Sequence, residues 1–141
     1  MQWYLLVIRK YIEFSGRARR KEYWMFALFQ VIFAVVAIII DNLLGSTLKF
    51  GNAYESVSLP YGYVYILYAV ATLLPSLGVT VRRLHDVDKS GWFILFGLIP
   101  FVGSIYLLVL YCTEGTRGPN RYGEDPKALP PDGSAPMYPN M

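Results

Sequence analysis

The sequence predicts an all-α membrane protein with about three transmembrane helices, preceded by a short amphipathic interfacial helix. Of the 141 residues, 55% are apolar and only 16% are charged, whereas a soluble domain carries about a quarter charged residues. The charges are absent from three long windows and concentrate between them. Because about 20 apolar residues cross a hydrocarbon core about 30 Å thick, each window has the length of one span.

We predict one membrane domain over residues 1–126 and a flexible tail over 127–141, which is rich in proline. The predicted helices cover about 1–14, 17–44, 61–84 and 91–112. The connection over 45–60 is polar and contains turn-forming residues, so it is predicted to be irregular. Asp41 is expected near the far membrane interface, where water reaches it, and the spans are otherwise expected to lack buried charges.

The N-terminal segment has a helical pattern with apolar and charged faces. We expect this helix to lie flat among the lipid headgroups, with Trp3 and Tyr4 as its anchors. The alternative is an ordinary surface helix that packs on the bundle.

The third window, 92–112, contains Gly97, Pro100 and Gly103 at its middle. Its length favours one kinked spanning helix, and a re-entrant hairpin that turns at 99–103 is the alternative. The choice decides on which side of the membrane the C-terminal tail lies.

Orientation follows from the lysines and arginines, which are enriched on the cytoplasmic side of membrane proteins. Six precede the first window, Arg82, Arg83 and Lys89 follow the second, and only Lys49 lies between the two windows. The N-terminus is therefore predicted to be cytoplasmic. Three crossings would place the tail outside, whereas a re-entrant third window would return it to the cytoplasm.

Four separated motifs occur in order along the chain: residues 14–24 (FSGRARRKEYW), 83–86 with 90–92 (RLHD and SGW), Pro100 with Gly103, and 118–123 (GPNRYG). This set resembles the bacterial "domain of unknown function 805" family of small inner-membrane proteins, which includes YhaH-like proteins. The resemblance covers the chain from its N-terminal helix to about residue 126. It implies a bacterial inner-membrane location and a few membrane helices, and it implies no reaction.

The charged motifs form a basic and aromatic collar that supplies the candidate binding residues. They are Arg17, Arg20, Glu22, Trp24, Arg82, Arg83, His85, Asp86, Ser90, Trp92, Asn120 and Arg121. One interpretation is an interfacial belt, in which arginines reach lipid phosphates and aromatic rings lie at headgroup depth. The other is a specific site for an anionic lipid headgroup or another partner.

The motif that contains His85 does not fit the patterns of zinc, calcium or nucleophilic sites. Zinc needs about three or four nitrogen or sulfur ligands, and the chain has one histidine and one cysteine. A calcium loop of roughly 12 residues starting at Asp86 would end on Gly97 rather than on the required glutamate. A nucleophilic Ser90 has no recognisable oxyanion donor. We therefore expect no cofactor, and we expect Ser90 or Asp88 to cap the third helix.

The sequence favours a non-catalytic accessory or scaffold protein that binds anionic lipid or a membrane-protein partner, including a second copy of itself. Nucleic acid is not an expected partner, because the basic residues flank apolar runs. A small oligomeric transporter or channel subunit is the alternative, since glycines and prolines in the windows would allow broken helices. A membrane-embedded enzyme acting on lipid is a third hypothesis, which would require His85, Asp86 or Asp88.

Overall fold

A computed structural model describes residues 2–51 and 56–128. The elements follow in the order α1 (Gln2–Arg9), α2 (Arg20–Leu44), β1 (Thr47–Gly51), β2 (Ser56–Gly62), α3 (Tyr63–Asp86), a 3₁₀ helix (Gly91–Leu98) and α4 (Val102–Cys112). The described residues divide into two compact units, one of residues up to 26 and from 75 onward, the other of Ala27–Leu74. The part of the predicted flexible tail that follows Ala128 lies outside the described residues.

α2 and α3 are long and apolar enough to cross a membrane. They contain 25 and 24 residues, which correspond to about 37 and 36 Å of helix. Only 11% and 22% of their most apolar windows are buried. Core helices of soluble proteins bury their apolar side chains, so these largely exposed surfaces are typical of helices that face lipid.

The third apolar window is not one continuous helix, so the predicted third transmembrane helix is not confirmed. The 3₁₀ helix ends at Leu98, and α4 begins at Val102. Between them, Phe101 has φ 61° and ψ −67°, and the Val102 N–H donates to the Pro100 carbonyl at 2.8 Å, which forms a γ-turn. At about 16 Å each, neither segment spans a bilayer.

The two short segments pack against each other. The Phe96 and Tyr106 rings have centroids 5.6 Å apart, and Gly103 lies directly against the Phe96 carbonyl, which a Cβ on Gly103 would approach to 1.7 Å. Only glycine fits this contact. The window therefore forms a hairpin, the shape of the re-entrant alternative.

The predicted irregular connection contains a two-stranded antiparallel sheet, so an all-α class is wrong for this segment. β1 pairs with β2 so that Thr47 lies opposite Gly62 and Lys49 opposite Ser58. Residues 47–50 alternate polar and apolar side chains, which is the period of a strand. The turn-forming residues on either side concealed this short signal.

Asp41 is fully buried, so the prediction that water reaches it is wrong. Its carboxylate accepts hydrogen bonds from the Ser46 hydroxyl at 2.6 Å and from the backbone N–H groups of Gly62, Val64 and Tyr65 at 2.9–3.0 Å. Two of these N–H groups belong to the first turn of α3, so Asp41 caps that helix and lies at the positive end of its dipole. The four donors replace water around the charge.

α1 is a packed helix rather than one anchored among headgroups by its aromatic residues. Trp3, Tyr4 and Val7 are buried, and the Tyr4 ring stacks on Phe26 with centroids 5.2 Å apart. The predicted headgroup contacts of Trp3 and Tyr4 are therefore wrong. The helix also ends at Arg9, earlier than predicted.

Replacing Gly103 by alanine is expected to destabilise the protein by about 1–3 kcal/mol, because the new methyl group must displace the Phe96 carbonyl. Gly97→Ala is the matched control, since its Cβ would meet only the Leu107 Cδ1 atom, at 3.4 Å. Unfolding in detergent followed by circular dichroism measures both changes. Equal stability of the two variants would contradict the tight packing of the hairpin.

Candidate functional site

The candidate site is a cluster of buried charges that joins the segment before α2, the end of α3 and the start of the tail. The Arg17 Nε donates to Asp86 Oδ1 at 3.0 Å, and Arg83 Nη1 donates to the other oxygen, Asp86 Oδ2. All three side chains are at most 5% exposed. We call these three residues the charge clasp.

Backbone carbonyls complete the coordination of both arginines in the charge clasp. Arg17 donates to the carbonyls of Gly118, at 2.7 Å, and Thr116. Arg83 donates to the carbonyls of Tyr111, at 3.2 Å, and Thr113, at the C-terminal end of α4. A cation here also compensates the negative end of the α4 dipole.

A second buried ion pair lies in the same unit. Arg82 Nη1 donates to Glu22 Oε1 at 3.0 Å, and the two side chains are 1% and 0% exposed. The Ala18 N–H donates to the Arg82 carbonyl at 3.0 Å. The start of α2 and the end of α3 are therefore joined by side-chain and backbone bonds.

Burial on this scale requires each charge to be neutralised locally. A charged group moved out of water loses several kcal/mol of hydration, which only close partners and hydrogen bonds offset. The space is also limited, because a Cβ on Gly115 would lie 2.1 Å from an Asp86 carboxylate oxygen. Gly115 therefore lets the tail approach the charge clasp.

The tail motif over 118–123 folds onto the loop after α3. His85 stacks on Tyr122 with ring centroids 3.9 Å apart and an interplanar angle of 4°. The Asn120 amide donates to the His85 carbonyl at 2.9 Å, and Arg121 Nε donates to Asp88 Oδ1 at 3.0 Å. These contacts hold together two motifs that are separated in the sequence.

Ser90 has the predicted capping role. Its hydroxyl accepts a hydrogen bond from the Trp92 N–H at 3.4 Å, at the start of the 3₁₀ helix. The Trp92 side chain is exposed. Within residues 2–51 and 56–128, no three His, Cys, Asp or Glu side chains are grouped so that they could hold a metal ion.

Five of the twelve residues of the predicted surface collar are buried, which corrects the interpretation of an interfacial arginine belt for three of its arginines. Arg17, Arg82 and Arg83 are buried and engaged by carboxylates and carbonyls. The spacing of basic and acidic residues along the chain did not reveal two of these pairs, because Arg17 lies 69 positions from Asp86 and Arg82 lies 60 positions from Glu22. The third pair, Arg83 with Asp86, is local, with the two residues three positions apart. Of the predicted basic residues, Arg20 and Arg121 are exposed.

A cleft of about 530 Å³ opens beside the start of α2. It is lined by Arg19, Arg20, Lys21, Trp24, Met25, Glu114 and Lys127. Four of these side chains are cationic, one is anionic, and two are apolar. We call it the basic cleft.

Glu114 bridges two cations of the basic cleft. Its Oε2 accepts from Arg20 Nη1 at 3.1 Å, and its Oε1 accepts from Lys127 Nζ. The hydrogen bond and charge of Lys127, followed by the bond from Arg20, lower the pKa of Glu114. Its carboxylate therefore keeps its charge to lower pH than an ordinary glutamate does.

Asp125 stabilises the backbone that presents Lys127. Partial burial raises its pKa, but backbone N–H donors from Lys127 and Gly118, together with the charge of Arg17, outweigh this effect and lower it. The Lys127 N–H donates to Asp125 Oδ1 at 2.9 Å.

Five residues that line the basic cleft are absent from the predicted site: Arg19, Lys21, Met25, Glu114 and Lys127. Arg19 donates to the Pro126 carbonyl at 2.7 Å, and Glu114 and Lys127 pair across the tail. Lys127 is the first residue of the segment that the sequence predicts to be a flexible tail. One feature of the sequence could have indicated Glu114 as a site residue, since it is the first charged residue after the third apolar window.

The fold and the site define a small helical membrane protein whose charged residues are concentrated in one unit. The chain belongs to the family described as "Protein of unknown function (DUF805)", which it matches over residues 11–124. The resemblance drawn from the sequence motifs is thereby confirmed.

The relatives are inner-membrane proteins. The chain is 50% identical to the inner membrane protein YhaI of Escherichia coli strain K12 over 127 residues, which cover 90% of this chain and 97% of that protein. It is 44% identical to the inner membrane protein YhaH of the same strain over 130 residues, which cover 92% and 100%. No solved structure matches the chain. The chain is thus an integral inner-membrane protein.

Replacing Asp86 by asparagine is expected to cost about 3–5 kcal/mol of stability, because it leaves two buried guanidinium groups without a counter-charge. Asp88→Asn is the matched control. It removes the same charge from a pair with Arg121 whose side chains are 62% and 46% exposed, and such pairs contribute at most about 1 kcal/mol. Chemical unfolding in detergent compares the two variants, and a smaller loss for the Asp86 variant would contradict the role of the charge clasp.

Proposed function

We propose that this protein is a non-catalytic accessory or scaffold protein of the bacterial inner membrane that binds anionic phospholipid headgroups in the basic cleft. The observation that carries the proposal is an open cationic cleft at the start of α2, the first membrane-crossing helix. Basic side chains beside a membrane-crossing helix attract anionic headgroups. Trp24, exposed in the same cleft, has the amphipathic ring that is enriched at headgroup depth.

The positions of the reactive groups support a role without catalysis. Asp86 is enclosed by two arginines, His85 is stacked on Tyr122, and the Ser90 hydroxyl caps a helix. Each group that the enzyme hypothesis would need serves a structural contact. The basic cleft contains cations, one carboxylate and apolar surface, a composition that favours binding of an anion with an apolar body.

The same proposal includes a topology of two crossings. α2 and α3 cross the membrane, and the hairpin of the 3₁₀ helix and α4 enters and leaves on one side. The bonds from Arg17 to Thr116 and Gly118 support this topology, because groups on opposite sides of a bilayer cannot hydrogen-bond. The distribution of lysines and arginines assigns the N-terminus and the tail to the cytoplasm.

Cysteine labelling tests this topology. In a Cys112→Ser background, single cysteines replace Ile12, Lys49 and Glu124, all of which have exposed side chains. A membrane-impermeant maleimide is expected to label Lys49→Cys in spheroplasts with an intact inner membrane, and to label the other two only after permeabilisation. Labelling of Glu124→Cys without permeabilisation would show that the tail is outside and the third window crosses.

Lipid binding is tested by native mass spectrometry of the full chain in detergent with added phosphatidylglycerol or phosphatidylcholine. Phosphatidylglycerol is expected to bind more tightly, and Arg20→Gln is expected to weaken it about fivefold, since one basic residue contributes about 1 kcal/mol to anionic lipid binding. Arg9→Gln removes the same charge at an exposed position outside the cleft and should leave the affinity unchanged. Equal binding of both lipids to the wild-type chain and every variant would contradict the proposal.

A further inference from the structure

We infer that Glu114 is a built-in competitor for the basic cleft, which occupies Arg20 and Lys127 until a headgroup phosphate displaces it. The inference rests on the proposed function and adds how that site is regulated. The two oxygens of the Glu114 carboxylate accept hydrogen bonds from Arg20 and Lys127. These are two of the cations that would bind a headgroup phosphate in the basic cleft.

The geometry of this bridge resembles that of a bound phosphate. One Glu114 oxygen accepts from Arg20 Nη1 at 3.1 Å, and the other accepts from Lys127 Nζ. A phosphodiester also shares one negative charge between two oxygens on one centre, so it presents two acceptors to the same pair of donors. The carboxylate and the phosphate are therefore alternative occupants of one site.

Exposure makes this bridge exchangeable, in contrast to the charge clasp. The side chains of Arg20, Glu114 and Lys127 are 45%, 52% and 53% exposed, and ion pairs with this exposure contribute little because water and salt compete for both partners. Those of Arg17 and Asp86 are 1% and 5% exposed. A phosphate can replace the Glu114 carboxylate without removing a buried counter-charge.

The position of Glu114 in the chain also suits exchange. It follows the last residue of α4, Cys112, by two positions and lies outside any helix or strand. No helix has to unwind when its side chain leaves the cations. Arg20, by contrast, is the first residue of α2, so the helix positions its backbone at the cleft.

The test compares Glu114→Gln with Glu124→Gln in the full chain by native mass spectrometry with phosphatidylglycerol. Both variants lose one negative charge, and Glu124 is exposed in the same tail. Glu114→Gln is expected to bind phosphatidylglycerol about threefold more tightly than Glu124→Gln, because the resident ion pairs that the phosphate must break are weakened. Inorganic phosphate added as a competitor shows whether the cleft accepts the phosphate alone or requires the lipid.

The double variant Arg20→Gln/Glu114→Gln identifies the mechanism. If Glu114 acts through Arg20 and Lys127, its replacement yields a smaller gain once Arg20 is absent. Equal affinities of Glu114→Gln and Glu124→Gln, with the wild-type preference for phosphatidylglycerol intact, would overturn this inference and leave the proposed function standing. Absence of any preference in the Glu114→Gln protein would overturn both.

Discussion

The neutralisation of Asp86 between Arg17 and Arg83 is the constraint on which the first unit of this protein depends. One carboxylate, exposed by only 5%, receives a guanidinium group on each oxygen. The two arginines in turn bind carbonyls of the tail and of the end of α4. The segment before α2, the end of α3, the end of α4 and the tail are thereby joined at one point, and removal of the Asp86 charge would leave two guanidinium groups buried without a counter-charge.

The membrane explains why polar interactions have this role. The exposed side chains of α2 and α3 are mostly apolar. Moving them from lipid into a protein interior gains little free energy, so contacts between apolar surfaces stabilise a membrane protein less than they stabilise a soluble one. Polar side chains that are buried in the protein form hydrogen bonds with nearby groups. In the second unit, the Asp41 carboxylate accepts four hydrogen bonds, and the Gln30 amide donates to the Thr72 hydroxyl at 2.7 Å.

The sequence predicted those features that have a local pattern. The length and apolar composition of two windows predicted α2 and α3. The serine at position 90 predicted a helix cap, because serine is a preferred capping residue. Features that depend on distant partners were missed or misplaced. Arg17 and Asp86 are 69 positions apart. Each lies in its own charged segment, which is typical of a surface, and the sequence does not show that the fold pairs them in its interior. The hairpin depends on contact between Gly103 and the Phe96 carbonyl, which no periodicity reveals.

Burial also decides which charges remain for binding. Both arginines of the charge clasp are held by the Asp86 carboxylate, with all three side chains at 0–5% exposure, and a ligand would have to replace that carboxylate in a space that excludes water. Arg20 and Lys127 are about half exposed and share one exposed carboxylate. The two sets are adjacent in sequence, since Arg17 and Arg20 are three residues apart. A single basic motif therefore serves two physical purposes: its buried part holds the fold together, and its exposed part presents charge at the start of a membrane helix.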